Sequence, residues 1–250
     1  MKYEKIIRGQ FITRPNRFVA EVKLRHNGEI VKVHVKNTGR CRELLLPGAE
    51  VYLEDFTDRM GSRKMVYSLI GVEKILPPAA EGEPSRVLMI NMDSQAPNKV
   101  AAEALADGRI ILPGMDRLTV IRGEKTYGDS RFDFYVEDVA GRRGFIEVKG
   151  VTLENNGLVR FPDAPTERGV KHVYELIRAK KDGYMAYVLF IVQMNGMKVF
   201  MPNDETHRGF GDALRDAAEN GVEILAYQCH VTADSLTAAE PLAVMLETDN

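Results

Sequence analysis

The sequence predicts an α+β chain, a small β-barrel followed by a mixed α/β domain. Three observations carry that expectation. The first eighty residues hold short alternating strands and few helix signals. The stretch Leu76-Pro77-Pro78-Ala79-Ala80-Glu81-Gly82-Glu83-Pro84 can neither continue a strand nor pack well. Beyond it, strand and helix patterns intermix. The 250 residues suffice for a sizeable core. Domains are expected at 1–82 and 83–250.

In the first part, Phe18, Ala20, Val22 and Leu24 alternate with Val19, Glu21 and Lys23. His26-Asn27-Gly28-Glu29 then supplies the Asn-Gly dipeptide of a tight hairpin. Val31, Val33 and Val35 follow, alternating with Lys32, His34 and Lys36. Further strands are expected over 49–53 and 65–75. In the second part, the patterns predict a helix over 99–106 and strands over 117–123, 130–138 and 144–149. A helix follows over 164–181, with Val170, Val173, Tyr174 and Ile177 as its apolar stripe. Strands over 184–193, 198–201 and 222–231 flank a helix over 207–219, which Asn220-Gly221 ends.

Lys+Arg 34 against Asp+Glu 36 leaves a net charge of −2. Nucleic-acid coating by overall positive charge is excluded, while a local basic patch is not. Cys41 and Cys229 are too far apart in sequence to suggest a disulfide framework or a cysteine zinc site. They read as reduced thiols, so a cytoplasmic location is expected. The sequence has no membrane-length apolar run, and no membrane partner is expected. No Walker-type phosphate loop or Gly-X-Gly-X-X-Gly run is present.

The residues that carry chemistry lie in Arg131-Phe132-Asp133-Phe134-Tyr135-Val136 and Gly144-Phe145-Ile146-Glu147-Val148-Lys149. Alternation puts Asp133 opposite the Phe132, Phe134, Val136 face. Glu147 and Lys149 share the face opposite Ile146 and Val148. If the two strands pair with their polar sets together, Asp133, Glu147 and Lys149 converge. Two close carboxylates repel unless a cation lies between them, and oxygen ligands suit Mg²⁺ or Mn²⁺. An adjacent lysine can stabilise charge developing on a phosphate. Glu103, on the preceding helix, is a candidate third metal oxygen. Arg168, Lys171 and His172, within about one turn of the next helix, are candidates to face a phosphate. An Asp followed by Glu-X-Lys on the neighbouring strand resembles the signature of the PD-(D/E)XK nuclease fold.

The first part has a cationic cluster of its own. Arg14-Pro15-Asn16-Arg17 precedes one strand, and Lys36-Asn37-Thr38-Gly39-Arg40-Cys41-Arg42 closes the next. Pairing through the Asn27-Gly28 turn brings these ends together. Arg14, Asn16, Arg17, Asn37, Arg40 and Arg42 then form a basic rim suited to a phosphate backbone. His34, on the polar face with Lys32 and Lys36, joins it. Phe18 is expected in the core, which argues against a base-stacking platform.

Several segments together resemble the sugar fermentation stimulation protein A (SfsA) family. They are Phe11 with Arg14-Pro15-Asn16-Arg17-Phe18; Val35 to Arg40 with Glu43-Leu44-Leu45 and Pro47-Gly48-Ala49; Tyr127 to Phe134; Glu147 to Leu153; and Phe161 to Gly169 with Lys171-His172. The resemblance implies an N-terminal OB-fold β-barrel and a C-terminal PD-(D/E)XK nuclease-like α/β domain. It also implies a DNA-binding protein linked to sugar utilisation, and carries the acidic and lysine positions onto Asp133, Glu147 and Lys149. Three departures stand out: Phe132 replaces the proline of the nuclease signature, Lys36 replaces the family's proline before Asn-Thr-Gly, and residues near Glu81 to Ser85 look inserted.

Three functions compete: a DNA-binding protein tracking phosphates, a Mg²⁺- or Mn²⁺-dependent phosphodiesterase acting on DNA or RNA, and an adaptor with a fossil site. The intact trio favours hydrolysis over binding alone. Natural target, strand preference and oligomeric state are not readable from the residues.

Overall fold

A computed structural model describes residues 1–37, 39–78, 82 and 84–247. The chain forms two compact units. The first comprises Met1–Ala96 together with Gln193–Asn195 and His230–Thr237. The second comprises Pro97–Val192, Gly196–Cys229 and the residues from Ala238 onward. The inserted stretch expected near Glu81 to Ser85 falls partly outside the described residues.

The first unit is an OB-fold barrel. Its strands are β1 (Ile6–Asn16), β2 (Val19–Leu24), β3 (Ile30–Val35), β4 (Glu50–Asp55), β5 (Tyr67–Leu76) and β6 (Arg86–Asn91). Their order is β3-β2-β1-β4-β5-β6, and a short parallel pairing of β3 with β5 closes the barrel. Alternation decides what lies inside: Ala20, Val22 and Leu24 from β2, with Val33 and Val35 from β3, are buried. The predicted Asn27-Gly28 turn joins β2 to β3. Gly28 takes a φ of 74°, and the Asn27 side chain accepts from the Glu29 amide at 3.0 Å.

β1 was not legible as a strand. It pairs with β2 on one side and β4 on the other, and register shifts between Phe11 and Thr13 and between Thr13 and Asn16 break its alternation. Gly9 lets β2 come close at this crossing, since a Cβ there would lie 2.3 Å from Val22 Cγ1.

The second unit is built on a six-stranded sheet. Helix α1 (Ala96–Ala106) precedes β7 (Leu118–Tyr127), β8 (Ser130–Asp138) and β9 (Arg143–Val151). Then come β10 (Leu153–Asn155), β11 (Leu158–Phe161), α2 (Glu167–Lys181), β12 (Met185–Val192), β13 (Val199–Pro202) and α3 (Asp204–Glu219). The last strands are β14 (Glu223–Val231), β15 (Leu236–Pro241) and β16 (Ala243–Val244). The sheet runs β15-β14-β12-β9-β8-β7. β7, β8 and β9 are antiparallel, while β9, β12 and β14 are parallel. β10, β11, β13 and β16 form a second small sheet.

Helix α2 starts three residues later than expected. The Thr166 hydroxyl caps it by accepting from the Gly169 amide at 3.1 Å. A Cβ on Gly169 would lie 2.8 Å from the Thr166 hydroxyl oxygen, so the tight cap excludes larger residues. Its buried face also differs from the predicted stripe. Tyr174 is exposed, its hydroxyl donating to Asp216, while His172 and Glu175 are buried beside Val173 and Leu176. A polar residue facing inward leaves no hydrophobic trace, and this one belongs to the site below.

An aromatic cluster backs the site strands. Phe132 is fully buried, its ring centroid 5.4 Å from Phe145 and 6.1 Å from the His172 imidazole. Replacing Phe132 with Ala should cost about 3–5 kcal/mol of unfolding free energy through the cavity it leaves. Urea denaturation measures this; a loss below about 1 kcal/mol would mean the site closes around the gap.

Candidate functional site

The candidate site lies where β8 and β9 part. Their ladder runs from Glu137↔Arg143 to Phe134↔Ile146 and stops there. At the next position the Asp133 side chain replaces the main chain: its Oδ2 accepts from the Val148 amide at 2.8 Å. β9 stays in the sheet because β12 pairs with it from Gly144 to Val151. A sharp reversal starts the pair. Asp138 accepts from the amides of Asp116, Ala140 and Arg142 and from Arg142 Nε at 2.7 Å. Burial opposes the Asp138 charge, but these donors outweigh it and hold the carboxyl down at about 2.

Asp133, half-buried, uses its other oxygen to accept from Asn98 Nδ2 of α1 at 2.8 Å. Burial, and then the nearby Glu147 charge, raise its pKa above the ordinary carboxylate value. Glu147 is 3% exposed. Its Oε1 accepts from Lys149 Nζ at 2.5 Å and is 2.6 Å from His172 Nδ1. Burial raises the Glu147 pKa, but the His172 hydrogen bond and the Lys149 charge outweigh it and lower the carboxyl below its ordinary value. Glu147 Oε2 is buried without a hydrogen-bond partner among the described residues.

His172 is fixed from its far side too. Arg168 Nε donates to His172 Nε2 at 3.4 Å. A guanidinium can only donate, so a neutral imidazole accepts at Nε2 and carries its proton on Nδ1, directed at Glu147. Arg168, His172, Glu147 and Lys149 therefore form one hydrogen-bonded chain.

The structure brings Asp133, Glu147 and Lys149 into one neighbourhood. It leaves Glu103 out. That side chain is exposed within electrostatic range of Arg109, and Asn98, one turn nearer the helix start, reaches Asp133 instead. Among the described residues, no three of His, Cys, Asp and Glu gather into a metal-binding group. His172, expected to face a phosphate, is 6% exposed and turned onto Glu147. Arg168 and Lys171 are exposed, with Lys171 Nζ donating to the Asp129 carbonyl at 3.4 Å.

In the first unit the two predicted loop ends meet. Arg14 donates through Nη1 to the carbonyls of Gly39 and Arg40, and through Nη2 to those of Arg17 and Asn37, all at 2.7–2.9 Å. It is the clamp of the rim more than its contact surface. Asn16 accepts from the Phe18 amide and Asn37 from the Gly39 amide, so their side-chain oxygens are occupied in turns. Arg17, Arg40 and Arg42 are exposed. With Arg14, Asn16, Gly39 and Leu45 they line a concavity of about 430 Å³. Lys36 turns away from the rim and donates to Asp93 at 2.9 Å and Glu54 at 3.3 Å. Phe18 is 45% exposed rather than core, with the Arg17 guanidinium 4.7 Å above its ring. β2 begins one residue after it, which frees the ring from the strand's alternation.

Residues 95–235 match the family described as the sugar fermentation stimulation protein RE domain, and residues 12–75 that described as the SfsA N-terminal OB domain. The chain belongs to the SfsA family. Among its relatives, the sugar fermentation stimulation protein homolog of Clostridium beijerinckii is 50% identical over 246 residues, 98% of this chain and 100% of that protein. The homolog of Desulfitobacterium hafniense is 51% identical over 247 residues, covering 98% and 99%. A solved structure of Pyrococcus furiosus SfsA in complex with Ca²⁺ matches with a TM-score of 0.81 and 27% identity, covering 98% of each chain. No helix among the described residues of this family member is long and apolar enough to cross a membrane.

The coupled carboxyls give signed expectations. Glu147→Gln should lower the Asp133 pKa by removing a like charge, and His172→Ala should raise that of Glu147 by removing a donor. Carboxyl ¹³C NMR titration of the cation-free protein reads both. Because the Asp133 pKa is raised, its contribution to stability is full below the ordinary carboxylate value and lost as pH rises through the elevated one. Asp133→Asn should therefore gain stability relative to the parent as pH rises above the ordinary carboxylate value. A pH-independent difference would contradict the burial argument.

Proposed function

We propose that this SfsA-family member binds nucleic acid, DNA first and RNA as a further partner, through the rim of its barrel. One observation carries the reading: the concavity lined by Arg14, Asn16, Arg17, Arg40 and Arg42, in a chain of net charge −2. Clustering lets a slightly acidic protein hold a phosphate backbone. Arg17, Arg40 and Arg42 have no carboxylate ion pair among the described residues, so their charge is available to a strand. The exposed Phe18 ring adds a face for a base.

A second reading, phosphodiester hydrolysis, is favoured by the unpartnered Glu147 Oε2. A buried carboxylate oxygen without a donor is costly, and Asp133 beside it is disfavoured as an anion. Both features fit a divalent cation held by Asp133 and Glu147. With only two carboxylates, water completes the ligand set, a sphere that Mg²⁺ and Mn²⁺ tolerate. That the Pyrococcus furiosus relative was solved with Ca²⁺, another hard cation, supports this fit. When bound, the cation supplies Lewis-acid charge to a phosphoryl group.

The chain's own residues do the rest. Asn98 and the Val148 amide hold both Asp133 oxygens. His172, backed by Arg168, fixes the Glu147 rotamer through Oε1 and leaves Oε2 for the cation. Lys149, beside Glu147, is the donor for an oxygen on which negative charge develops.

Binding and hydrolysis separate experimentally. Substituting Arg17, Arg40 and Arg42 together with Ala should weaken binding of all sequences alike and lower the slope of log affinity against log salt by about 2–3. A sequence-selective loss would contradict backbone tracking. Labelled single- and double-stranded DNA and RNA with Mn²⁺ should give product that Glu147→Ala abolishes. Equal product from both proteins would refute hydrolysis at this site.

A further inference from the structure

Several cations on the barrel are neutralised by carboxylates. Lys5 meets Asp55 and Asp58, Arg8 and Arg25 meet Glu50, Lys36 meets Asp93 and Glu54, and Arg59 meets Glu54. His34, Arg63 and Lys64, like the rim arginines, are not neutralised in this way. None has a carboxylate ion pair among the described residues, yet with Met65 they line one concavity of about 300 Å³.

The arrangement is held in place. The Arg63 guanidinium lies 3.6 Å from the Phe56 ring centroid, and its Nη2 donates to the buried Ser68 hydroxyl at 2.5 Å. Stacking and that hydrogen bond fix the plane of the fork. Its Nε is buried without an acceptor among the described residues. His34 stands on β3 beside Ser68 of β5, at the pairing that closes the barrel. Burial, and then the charges of Arg63 and Lys36, lower the pKa of its imidazole below the ordinary value. The Asp93 charge acts in the opposite direction and does not outweigh them, so the surroundings of His34 disfavour its cation.

We infer that the concavity formed by His34, Arg63 and Lys64 is an anion site for a phosphate group, separate from the Arg14–Arg17–Arg40–Arg42 rim. Donors reach it from two elements, β3 and the loop between β4 and β5. A tetrahedral phosphate offers acceptors in several directions, whereas a planar carboxylate matches a single fork. Its charge relieves the repulsion between the Arg63 and Lys64 charges. The Met65 side chain gives the pocket an apolar wall, against which a sugar or base next to the phosphate can rest. The phosphate can belong to a strand or to a small phosphorylated molecule; the strand source alone rests on the nucleic-acid reading of the rim.

The test follows the His34 ring signals of the full-length protein by ¹H–¹³C NMR during titration with inorganic pyrophosphate and, separately, with a short oligothymidylate. A saturable shift at His34 with either supports the site. A shift with the oligothymidylate assigns the phosphate to a strand, and one with pyrophosphate alone assigns it to a small molecule. Arg63→Gln combined with Lys64→Gln should weaken the effective ligand on the order of tenfold. Lys64→Gln alone, at an exposed position outside the packing, guards against a folding defect and should weaken it less. Silence at His34 with both ligands at saturating concentration would overturn the site, as would unchanged affinity in the double variant. The triple substitution at Arg17, Arg40 and Arg42 leaves this pocket intact, so failure of the rim and failure of the pocket are told apart.

Discussion

The site geometry depends on one hydrogen bond, from the Val148 amide to the Asp133 carboxylate. A β-ladder satisfies backbone donors with backbone acceptors, and a strand that leaves a sheet abandons one. Here a side chain supplies the missing acceptor, so β8 can part from β9 without orphaning an interior amide. The parting falls at Glu147, the residue before Val148. β9 does not follow β8 because its other edge is committed to β12. A rigid parallel pair and a departing antiparallel partner are thus joined through a group that also carries charge.

The placement of the polar trio was more legible than its support. Asp133, Glu147 and Lys149 sit at alternating positions in apolar strands, and a polar residue in such a run stands out from sequence. The end of the ladder did not, because a side chain replacing a main-chain acceptor leaves no periodic mark. Nor did the tie between His172 and Glu147, a helix-to-strand contact between residues 25 apart. His172 read as a partner for phosphate because Arg168 and Lys171 surround it in sequence, yet helical geometry turns it inward while they face solvent. Similar reasons hid β1, whose bulges interrupt its pattern, and exposed Phe18, which precedes the strand that would have buried it. The OB-fold barrel and the α/β domain were readable from patterning plus the family resemblance.

In the barrel, charge is sorted by what answers it. Lys36 lies close in sequence to rim residues but spends its charge on Asp93 and Glu54, a network that the Tyr3 hydroxyl joins. Burial and then the Asp93 charge push that phenol far above its ordinary value, so it stays protonated and donates. Among the described residues, the buried acids Glu54, Asp55 and Asp93 are each met by a cation. Outside, arginines remain whose field is not cancelled by neighbours. Overall charge is blind to this division, and the balance of 34 against 36 conceals it.

Arg14 shows what that division permits. Its four terminal N–H groups are all taken by main-chain carbonyls of two separate loops. It acts as a covalent crosslink would, except that it brings a full positive charge with it. A surface stapled in this way needs little freezing when a polyanion arrives, so less of the attraction is consumed in ordering the receptor. Lysine could keep the charge but not the staple, for an ammonium has three donors and no plane.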